Sequence, residues 1–543
     1  MASAWPRPQP TKLDPANRRQ RVPARHAIPG RPQPTMKPPA NSRGRIRRHT
    51  LHATRYLVPM PALDRTTMLR AFYARDAAYD GRFLTGVVTT GIYCIASCAA
   101  RKPNEENVRF FSSEDEARTA GLRPCRRCRP DRFLKGVDPE LDALERLVHE
   151  VRTRPERFAD ARALATRLGV GATKLNDLLR HHYHTTPALL LTGARVEAAR
   201  RTLASGKGRP LDAAFAAGFE SASAFHEQFR RRLCMTPAAY AALTEARSFT
   251  LTLPQRYHPR YALRVMARDP EGRAEGHDGR HAFKALHLAH GPAVLHFEFA
   301  AAAVHVRIEA PRPLGPEDVR DAHRVSLRVL GLAHDPTAFE RRGRTVPDIA
   351  RLTAAHRGLR QPRTARVFEA LIWSIVGQQV NLAFAAALRS TLIRLSSDDA
   401  GAGHRAHPTP AAVAALDYAD LTAHRFSRRK AEYLIDAARA VLAGALPLDA
   451  MPEGPASTAE RTLLDVRGIG PWSAHYVMMR GCGFPDCVPV GDTGLTEALR
   501  VFHGMEERPN AQQTIELMAP FRPWRSLATA HLWRSLGDAT GEG

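Results

Sequence analysis

The chain has 543 residues and contains 80 Lys and Arg against 54 Asp and Glu, which gives a formal net charge of +26 and a pI of about 10.6. This length predicts several domains. The charge predicts a polyanionic partner, and nucleic acid fits better than a membrane because no apolar run approaches the roughly 18 residues needed to span a bilayer. The seven cysteines suit a reducing cytoplasm.

Residues 1–67 form a basic leader that is rich in Arg and Pro and almost free of acidic residues. This composition predicts disorder, because it lacks the apolar side chains that a core needs. A secretory signal is excluded by the lack of an apolar h-region, and the prolines argue against an amphipathic transit helix. Met1, Met60 and Met68 are alternative translation starts.

Four of the seven cysteines cluster in one short stretch. Cys94 and Cys98 form a C-x3-C pair, and a C-x2-C pair, Cys125 and Cys128, follows roughly 26 residues later. Thiolates grouped in this way are typical of a tetrahedral zinc site. A disulfide framework is the alternative, although it usually belongs to small secreted domains. We therefore expect one zinc ion in a small domain over residues 68–135.

The segments around the cysteines resemble the N-terminal zinc domain of the Ada family of bacterial methylphosphotriester-DNA methyltransferases and transcriptional activators. They are Thr89–Cys94, Asn107–Phe111 and Gly121–Asp131. The resemblance implies that Cys94 is both a zinc ligand and the acceptor of a methyl group, since the thiolate is the nucleophile. A purely structural zinc site is the alternative. The resemblance also implies three contacts to a DNA phosphate: Thr90, Arg101 and Arg123.

Residues 139–245 predict an all-α domain with two helix-turn-helix units. In each unit, small residues precede a turn glycine, which is Gly169 or Gly218. Polar-faced helices are predicted after these turns, over Ala172–His182 and Ser221–Leu233. One unit alone is a weak signal, but the pair resembles the AraC-type DNA-binding domain, which places two recognition helices in successive major grooves. An ordinary helical connector is the alternative.

Residues 248–345 predict an α+β domain, with a polar loop over Asp269–Arg280 and a helix over Asp318–Leu330. The predicted strands are Phe249–Leu253, Tyr261–Val265, Ala293–Phe299 and Val304–Glu309. The position of this region, directly before the last segment, resembles the N-terminal domain of 3-methyladenine DNA glycosylase II, the AlkA type.

Residues 346–543 predict an all-α domain. An apolar helix over Phe368–Val376 ends in a polar turn, and a tight turn at Gly468 and Gly470 joins two further helices. These glycines let backbone N–H groups approach a DNA phosphate at a helix N-terminus, whose partial positive charge favours an anion. Together with Asp492 downstream, the pattern resembles the helix-hairpin-helix glycosylase superfamily.

The resemblance assigns the chemistry to Asp492, whose carboxylate would stabilise the oxocarbenium character that develops as an N-glycosidic bond breaks. An aspartate directly before a helix is also a common N-cap. The base must first be extruded from the duplex, and the resemblance gives the wedge position to Gln379, where AlkA itself has an apolar residue. Residues that match the base pocket, where aromatic rings would favour a cationic base, are Trp472, Tyr476 and Trp533. Core packing is the alternative for each aromatic residue alone.

Two further segments, Pro523–Ser526 and His531–Trp533, narrow the resemblance to the AlkA branch. Members of the superfamily that are both glycosylase and lyase carry a lysine where this chain has Trp472, so we expect no lyase chemistry. No run of four cysteines follows the catalytic region, so we expect no iron–sulfur cluster.

The sequence therefore predicts a multidomain α+β protein that fuses an alkylation sensor and activator to a base-excising glycosylase. The expected partners are damaged and promoter double-stranded DNA and RNA polymerase, and we expect a monomer in the bacterial cytoplasm, associated with the nucleoid. Two alternatives remain open. The glycosylase-like domain of a regulator could bind DNA without excising bases, or the N-terminal half of a repair enzyme could only anchor it to DNA.

Overall fold

The structure is a computed structural model. It describes residues 63–76, 79–98, 100–133, 138–206, 208–244 and 246–539. Residues 1–62 of the predicted disordered leader lie outside the described residues, whereas residues 65–67, at the end of that leader, are helical. The chain divides into two compact units, Met1–Ala71 and Phe72–Gly543. Helix α1 (Arg65–Ala74) begins in the first unit, and every contact discussed below lies within the second. Among the described helices, none is long and apolar enough to cross a membrane.

Short strands and helices surround the four cysteines. They are β1 (Leu84–Val87), β2 (Ile92–Cys94), β3 (Val108–Phe111), α2 (Glu114–Thr119), β4 (Arg123–Pro124) and α3 (Pro130–Phe133). The strands form one sheet in the order β3-β1-β2-β4, in which β2 and β4 run parallel. A small core that includes Leu84, Tyr93 and Leu122 packs against the buried cysteines.

The next part of the chain is helical. Its helices are α4 (Pro139–Thr153), α5 (Ala161–Leu168), α6 (Ala172–Tyr183), α7 (Pro187–Ala204), α8 (Pro210–Ala216), α9 (Ala222–Leu233) and α10 (Pro237–Ala241). The two predicted recognition helices correspond to α6 and α9. The Asp160 side chain caps the start of α5 and the Ser221 side chain caps the start of α9, so the sequence fixes where these helices begin.

The two helix-turn-helix units belong to different hydrophobic cores, and α7 runs through both. Leu190 and Leu191, in the first half of α7, pack into the core of the first unit. Ala199 and Leu203, in the second half, pack into the core of the second. One continuous helix therefore sets the distance between the two units.

A five-stranded antiparallel sheet follows, in the order β5-β9-β8-β7-β6. The elements of this α+β part are β5 (Ser248–Thr252), α11 (Arg260–Met266), β6 (Glu275–His277), β7 (His281–Leu288), β8 (Gly291–Phe299), β9 (Ala303–Glu309) and α12 (Pro316–Val329). The core of the second helix-turn-helix unit continues into this sheet: Phe229 and Tyr240 share one cluster with Phe249 and Val306. The imidazole of His323 on α12 also lies 2.9 Å from Leu233 O at the end of α9.

Two predictions for this region are wrong. The predicted strand Tyr261–Val265 lies inside helix α11, whose helix-forming residues place Tyr261, Ala262, Leu263 and Met266 in the core. A short apolar run does not distinguish a strand from a buried helix turn, which explains the error. The predicted loop Asp269–Arg280 contains the edge strand β6, which pairs with β7 although it is too short to show alternation.

The remaining helices surround the predicted hairpin. They are α13 (Thr337–Arg342), α14 (Pro347–Thr353), α15 (Val367–Val376), α16 (Leu382–Ser396), α17 (Pro410–Ala414), α18 (Tyr418–Thr422), α19 (Arg428–Leu442), α20 (Ala456–Leu464), α21 (Pro471–Tyr476), α22 (Thr493–His503), α23 (Ala511–Met518) and α24 (Arg525–Ala539). A two-stranded ribbon, β10 (Asp399–Gly401) and β11 (His404–Arg405), interrupts them. Phe339 on α13 packs with Leu495 and Leu532, so the chain around α13 and α14 contributes to the core of the C-terminal helices.

The core shared by the second helix-turn-helix unit and the sheet can be tested with Phe229→Ala. Phe229 is 0% exposed, and we expect the free energy of unfolding to fall by about 3–5 kcal/mol, the usual range for a buried phenylalanine. Because the core is common, amide exchange in β5 and β9 should accelerate as well. The matched control is Phe215→Ala, since Phe215 is 53% exposed and its loss should change stability by no more than about 0.5 kcal/mol. Unchanged protection of the sheet in Phe229→Ala would contradict a shared core.

Candidate functional site

The four cysteines meet at one edge of the first sheet. Cys94 ends β2 and Cys125 directly follows β4, and because these strands run parallel both cysteines leave the sheet at the same edge. Cys98 and Cys128 lie in the turns that follow. The four Sγ atoms lie within 4.8 Å of one another. The structure thus brings all four predicted ligands together.

The crowded thiols suit a bound cation. Hydrogen bonding with Cys128 and Cys98, together with burial, raises the pKa of Cys94, so this thiol keeps its proton unless a positive charge is close by. A metal ion among the four sulfur atoms reverses that preference, because it stabilises thiolates. A closed set of four sulfur donors is the set that zinc prefers in proteins. The donors present therefore fit the group that the sequence predicts.

A cleft of about 440 Å³ opens beside the cysteine cluster. Its described lining includes Cys94, Thr90 and Arg101, so two of the predicted phosphate contacts face the same concave surface as the predicted methyl acceptor. The third, Arg123, is exposed on β4 and lies outside that lining.

Lys102 also lines this cleft, and the sequence analysis did not single it out. Its Nζ lies 3.7 Å from the centroid of the Phe72 ring and donates to Ala96 O at 3.3 Å. Burial lowers the pKa of Lys102. In the sequence, only its position next to Arg101 indicates that Lys102 could belong to the phosphate site. Together the two side chains make the cleft cationic.

Asp492 lies between the two tryptophans that were predicted to line the base pocket. Trp472 Nε1 donates to Asp492 Oδ2 at 2.8 Å, and Trp533 Nε1 donates to Asp492 Oδ1 at 2.9 Å. The same Oδ1 accepts the backbone N–H of Leu495 at 2.6 Å and so caps α22. Asp492 is therefore an N-cap, as the alternative interpretation expected. Trp472 holds the oxygen that does not cap the helix, and Trp533 shares the capping oxygen, an arrangement that capping alone does not require.

The aromatic residues form one wall beside this carboxylate. The rings of Trp472 and Tyr476 lie 5.8 Å apart between centroids, tilted by 37°. Tyr476 is largely buried, whereas Trp472 and Trp533 are partly exposed. Gly377, which directly follows α15, lies against Trp472: a Cβ at this position would be in ordinary van der Waals contact with Cη2 of that ring, at 3.7 Å.

The predicted wedge lies on the loop that follows α15. Gln379 is exposed and has φ +55°, a left-handed conformation that is uncommon for a residue other than glycine. Its neighbour Gln378, to which the sequence motif assigns no role, joins this loop to the hairpin. Gln378 Nε2 donates to Gly468 O at 2.8 Å and to Ser473 Oγ at 3.1 Å. The wedge position and the hairpin are thus held together by one side chain.

The hairpin itself joins α20 to α21. Gly468 has φ +86°, and a Cβ at this position would lie 2.4 Å from the Tyr433 ring, so only glycine fits. Gly470 is the N-cap of α21, and a Cβ added there would meet no described atom within 4 Å. The open N-terminus of α21 can therefore receive an anion at its backbone N–H groups.

The two recognition helices present polar side chains to solvent. Thr173, Lys174 and Arg180 are exposed on α6, and His226 and Arg230 are exposed on α9. These residue types contact DNA phosphates and base edges in other helix-turn-helix proteins. Their exposure leaves both helices accessible along these faces.

Three family models match this chain. They are the metal binding domain of Ada over residues 67–131, a helix-turn-helix domain over residues 164–242, and the HhH-GPD superfamily of base excision DNA repair proteins over residues 372–523. These matches and the observed elements confirm the predicted fold class, which combines a four-cysteine domain, helix-turn-helix units and a helix-hairpin-helix glycosylase fold.

The chain is also similar to proteins that combine these parts. A probable bifunctional transcriptional activator/DNA repair enzyme AlkA from Mycobacterium tuberculosis is 30% identical over 492 residues, which cover 86% of this chain and 95% of that protein. The chain belongs to this family. Two further proteins match parts of this chain. A DNA-3-methyladenine glycosylase from Bacillus subtilis is 33% identical over 38% of this chain and 69% of that protein. The bifunctional transcriptional activator/DNA repair enzyme Ada from Escherichia coli is 32% identical over 30% of this chain and 45% of that protein.

The hairpin geometry predicts that alanine destabilises the protein at Gly468 but not at Gly470. Gly468→Ala should lower the free energy of unfolding by about 2–4 kcal/mol, because it combines left-handed strain with displacement of the Tyr433 ring. Gly470→Ala is the matched control, since its φ of −92° suits any residue and its Cβ would meet open space, so we expect a change within about 0.5 kcal/mol. Chemical denaturation of the two variants would measure the difference. Equal stabilities would contradict the close packing at Gly468.

Proposed function

We propose that this chain senses methylation damage in DNA, activates transcription in response and excises alkylated bases. The observation that carries the proposal is the carboxylate of Asp492, which receives an N–H hydrogen bond from each of Trp472 and Trp533. The nearby hairpin and the Gln379 loop support a DNA-bound role for this carboxylate. The four-cysteine cluster and the two helix-turn-helix units support sensing and activation, as do the names of the relatives.

In the proposed excision, the N-terminus of α21 at Gly470 binds a backbone phosphate, and the damaged nucleotide is extruded from the duplex. The N-glycosidic bond breaks and its electron pair leaves with the base. Asp492 stabilises the positive charge that develops on the sugar. Water then supplies a hydroxyl group to the anomeric carbon and releases a proton. The tryptophan N–H groups hold the carboxylate in place throughout.

The proposed substrates are cationic alkylated purines, with 3-methyladenine first and 7-methylguanine second. Such a base is already a good leaving group, so the reaction needs no dedicated acid. The rings of Trp472, Tyr476 and Trp533 would favour its charge by cation–π attraction, worth about 0.5–2 kcal/mol. The product would be an intact strand with an abasic site, because Trp472 stands where glycosylases that also have lyase activity carry a lysine.

Asp492→Asn tests the excision. The substitution removes the negative charge and presents an amide N–H2 toward one tryptophan donor, so we expect release of 3-methyladenine from methylated duplex DNA to fall at least about 100-fold. DNA affinity should persist. Chromatography of released bases measures the rate, and Asp449→Asn, at an exposed position of the same region, is the matched control. Undiminished release by Asp492→Asn would remove this residue from its role, and strand cleavage without added base would contradict hydrolysis alone.

In the proposed sensing reaction, Cys94 attacks the methyl group of a DNA methylphosphotriester. The S–C bond forms, the C–O bond breaks, and the phosphate oxygen keeps the electron pair as an anion. One zinc ion, held by Cys94, Cys98, Cys125 and Cys128, would keep the nucleophile deprotonated. Arg101 and Thr90 would hold the phosphate in the cleft, with Arg123 contacting it from β4 and Lys102 adding to the cationic lining.

Methylation of Cys94 converts a thiolate to a neutral thioether and so removes one negative charge near the DNA. At about 8 Å from a phosphate and an effective dielectric constant near 20, one charge corresponds to roughly 2 kcal/mol, or about 30-fold in affinity. Salt would reduce this figure. The methylated chain would then bind promoter DNA more tightly, with α6 and α9 reading its sequence.

Cys94→Ser should abolish transfer of a labelled methyl group from methylphosphotriester DNA, and with it the rise in promoter affinity. The wild-type chain should contain one zinc ion. Base excision by Cys94→Ser should be unchanged, and Asp492→Asn should show the reciprocal pattern, with normal methyl transfer. Peptide mapping of the label decides the acceptor. A label on another cysteine would remove Cys94 from the acceptor role, and an unchanged promoter affinity after methylation would contradict the proposed switch.

The proposal also includes RNA polymerase as the partner of the activator, a monomeric chain, and a cytoplasmic, nucleoid-associated location. It retains the domain bounds 68–135, 139–245, 248–345 and 346–543. A regulator whose glycosylase-like domain only binds DNA is the alternative, and absence of base release by the wild-type chain would favour it.

A further inference from the structure

Leu382 is unusually exposed for a large apolar residue. Its side chain has a relative exposure of 67%, more than any other exposed large apolar residue among the described residues. Single exposed leucines are ordinary on protein surfaces, so the exposure alone assigns no role. The position of Leu382, three residues after the proposed wedge Gln379, is what distinguishes it.

Gln379 and Leu382 are exposed to solvent, whereas Val380, between them, points inward. Val380 packs against the core of the helical domain. The Asn381 side chain accepts the N–H of Phe384 at 2.8 Å, and this N-cap fixes the first turn of α16. Leu382, the first residue of that helix, is left without a core to fill. The exposed side chains here are thus the polar Gln379 and Asn381 and the apolar Leu382.

This loop is fastened to the hairpin and to the start of α19. Gln378 joins it to the hairpin through Gly468 O and Ser473 Oγ. On the other side, Lys430 Nζ donates to Val376 O at 2.7 Å, which places the start of α19 beside the loop. Leu382 thus belongs to the surface that the hairpin would turn toward a bound duplex.

The surroundings of Leu382 are cationic. Arg425 lies 5.0 Å over the ring of Phe384, on the first turn of α16. Arg429 is exposed at the start of α19, next to Arg428, whose guanidinium is paired with Glu432 at 3.0 Å. The N-terminal end of α16 adds a partial positive charge. An apolar side chain within a positive surface suits duplex DNA better than an apolar protein partner, because DNA offers anionic phosphates outside and apolar base faces inside.

We propose that Leu382 enters the minor groove next to the extruded nucleotide and packs against the unstacked bases. Gln379 would fill the vacated position and hydrogen-bond the base left without a partner, while Leu382 would cover the adjoining apolar base surface. Proteins that kink DNA insert leucine and similar side chains in this way. The inference rests on the proposed glycosylase function and assigns to Leu382 the stabilisation of the extruded state.

Leu382→Ala tests this role in the full chain. We expect its affinity for a duplex that contains a tetrahydrofuran abasic analogue to fall about 10-fold, in line with the burial of one leucine side chain. Its affinity for the undamaged duplex should change less than about two-fold. Single-turnover excision of 7-methylguanine should slow by a similar factor of about 10. Leu382→Met, which keeps the apolar volume, should restore both values.

Leu442→Ala is the matched control, because Leu442 is 58% exposed at the far end of α19. Thermal denaturation of all variants should agree, since neither leucine is in a core. If Leu382→Ala behaves like Leu442→Ala with both duplexes, the inference is wrong. It is also wrong if both duplexes lose affinity equally, because Leu382 would then be a general surface contact. If the wild-type chain releases no base, the proposed function fails, while the comparison of abasic and undamaged duplexes still decides the role of Leu382.

Discussion

A buried cluster of four charges holds the two helices on either side of the Gln379 loop. Lys284 Nζ lies 2.7 Å from Glu369 and also contacts Glu275, and Arg389 lies 2.7 Å from Glu275. Burial alone would lower the pKa of Lys284, but the two carboxylates outweigh it and raise that pKa, so the ion pairs persist. Removing one partner would strand a buried charge, which is strongly destabilising. Strands β6 and β7 therefore keep α15 and α16 in one relative position.

The α+β part also reaches the proposed base pocket. Arg268, which follows α11, lies 4.8 Å over the ring of Trp373 on α15 and donates to the hydroxyl of Tyr476 at 3.3 Å. The pocket wall and the wedge loop are thus both positioned by residues outside the helix-hairpin-helix motif. The hairpin carries the proposed phosphate site, but the geometry around Asp492 depends on packing against a separate layer of the fold.

Sequence reasoning succeeded where function requires a fixed local spacing. The clustered cysteines and the hairpin glycine Gly468 were identifiable because their roles depend on neighbours in the chain. It failed at Tyr261–Val265, because a short apolar run does not distinguish a strand from a buried helix and only packing in the shared core favours the helix. It also missed Gln378 and Arg268, because their partners lie far away in the sequence and only the folded chain brings them together. Motifs thus predict the candidate reacting groups, whereas the side chains that orient them become visible only through tertiary contacts.

Helix α7 relates the regulatory half to the repair half. It has 18 residues and is therefore about 27 Å long, somewhat less than the roughly 34 Å over which the major groove repeats. Its first half packs with α4 to α6, and its second half lies in the core that continues into the five-stranded sheet. The first helix-turn-helix unit also contacts the hairpin: His182 Nδ1 on α6 lies 2.7 Å from Ser457 Oγ on α20, the first helix of the hairpin. Each helix-turn-helix unit is thus packed against the repair half, so movement of either recognition helix must be accommodated by the layers that position the hairpin and Asp492.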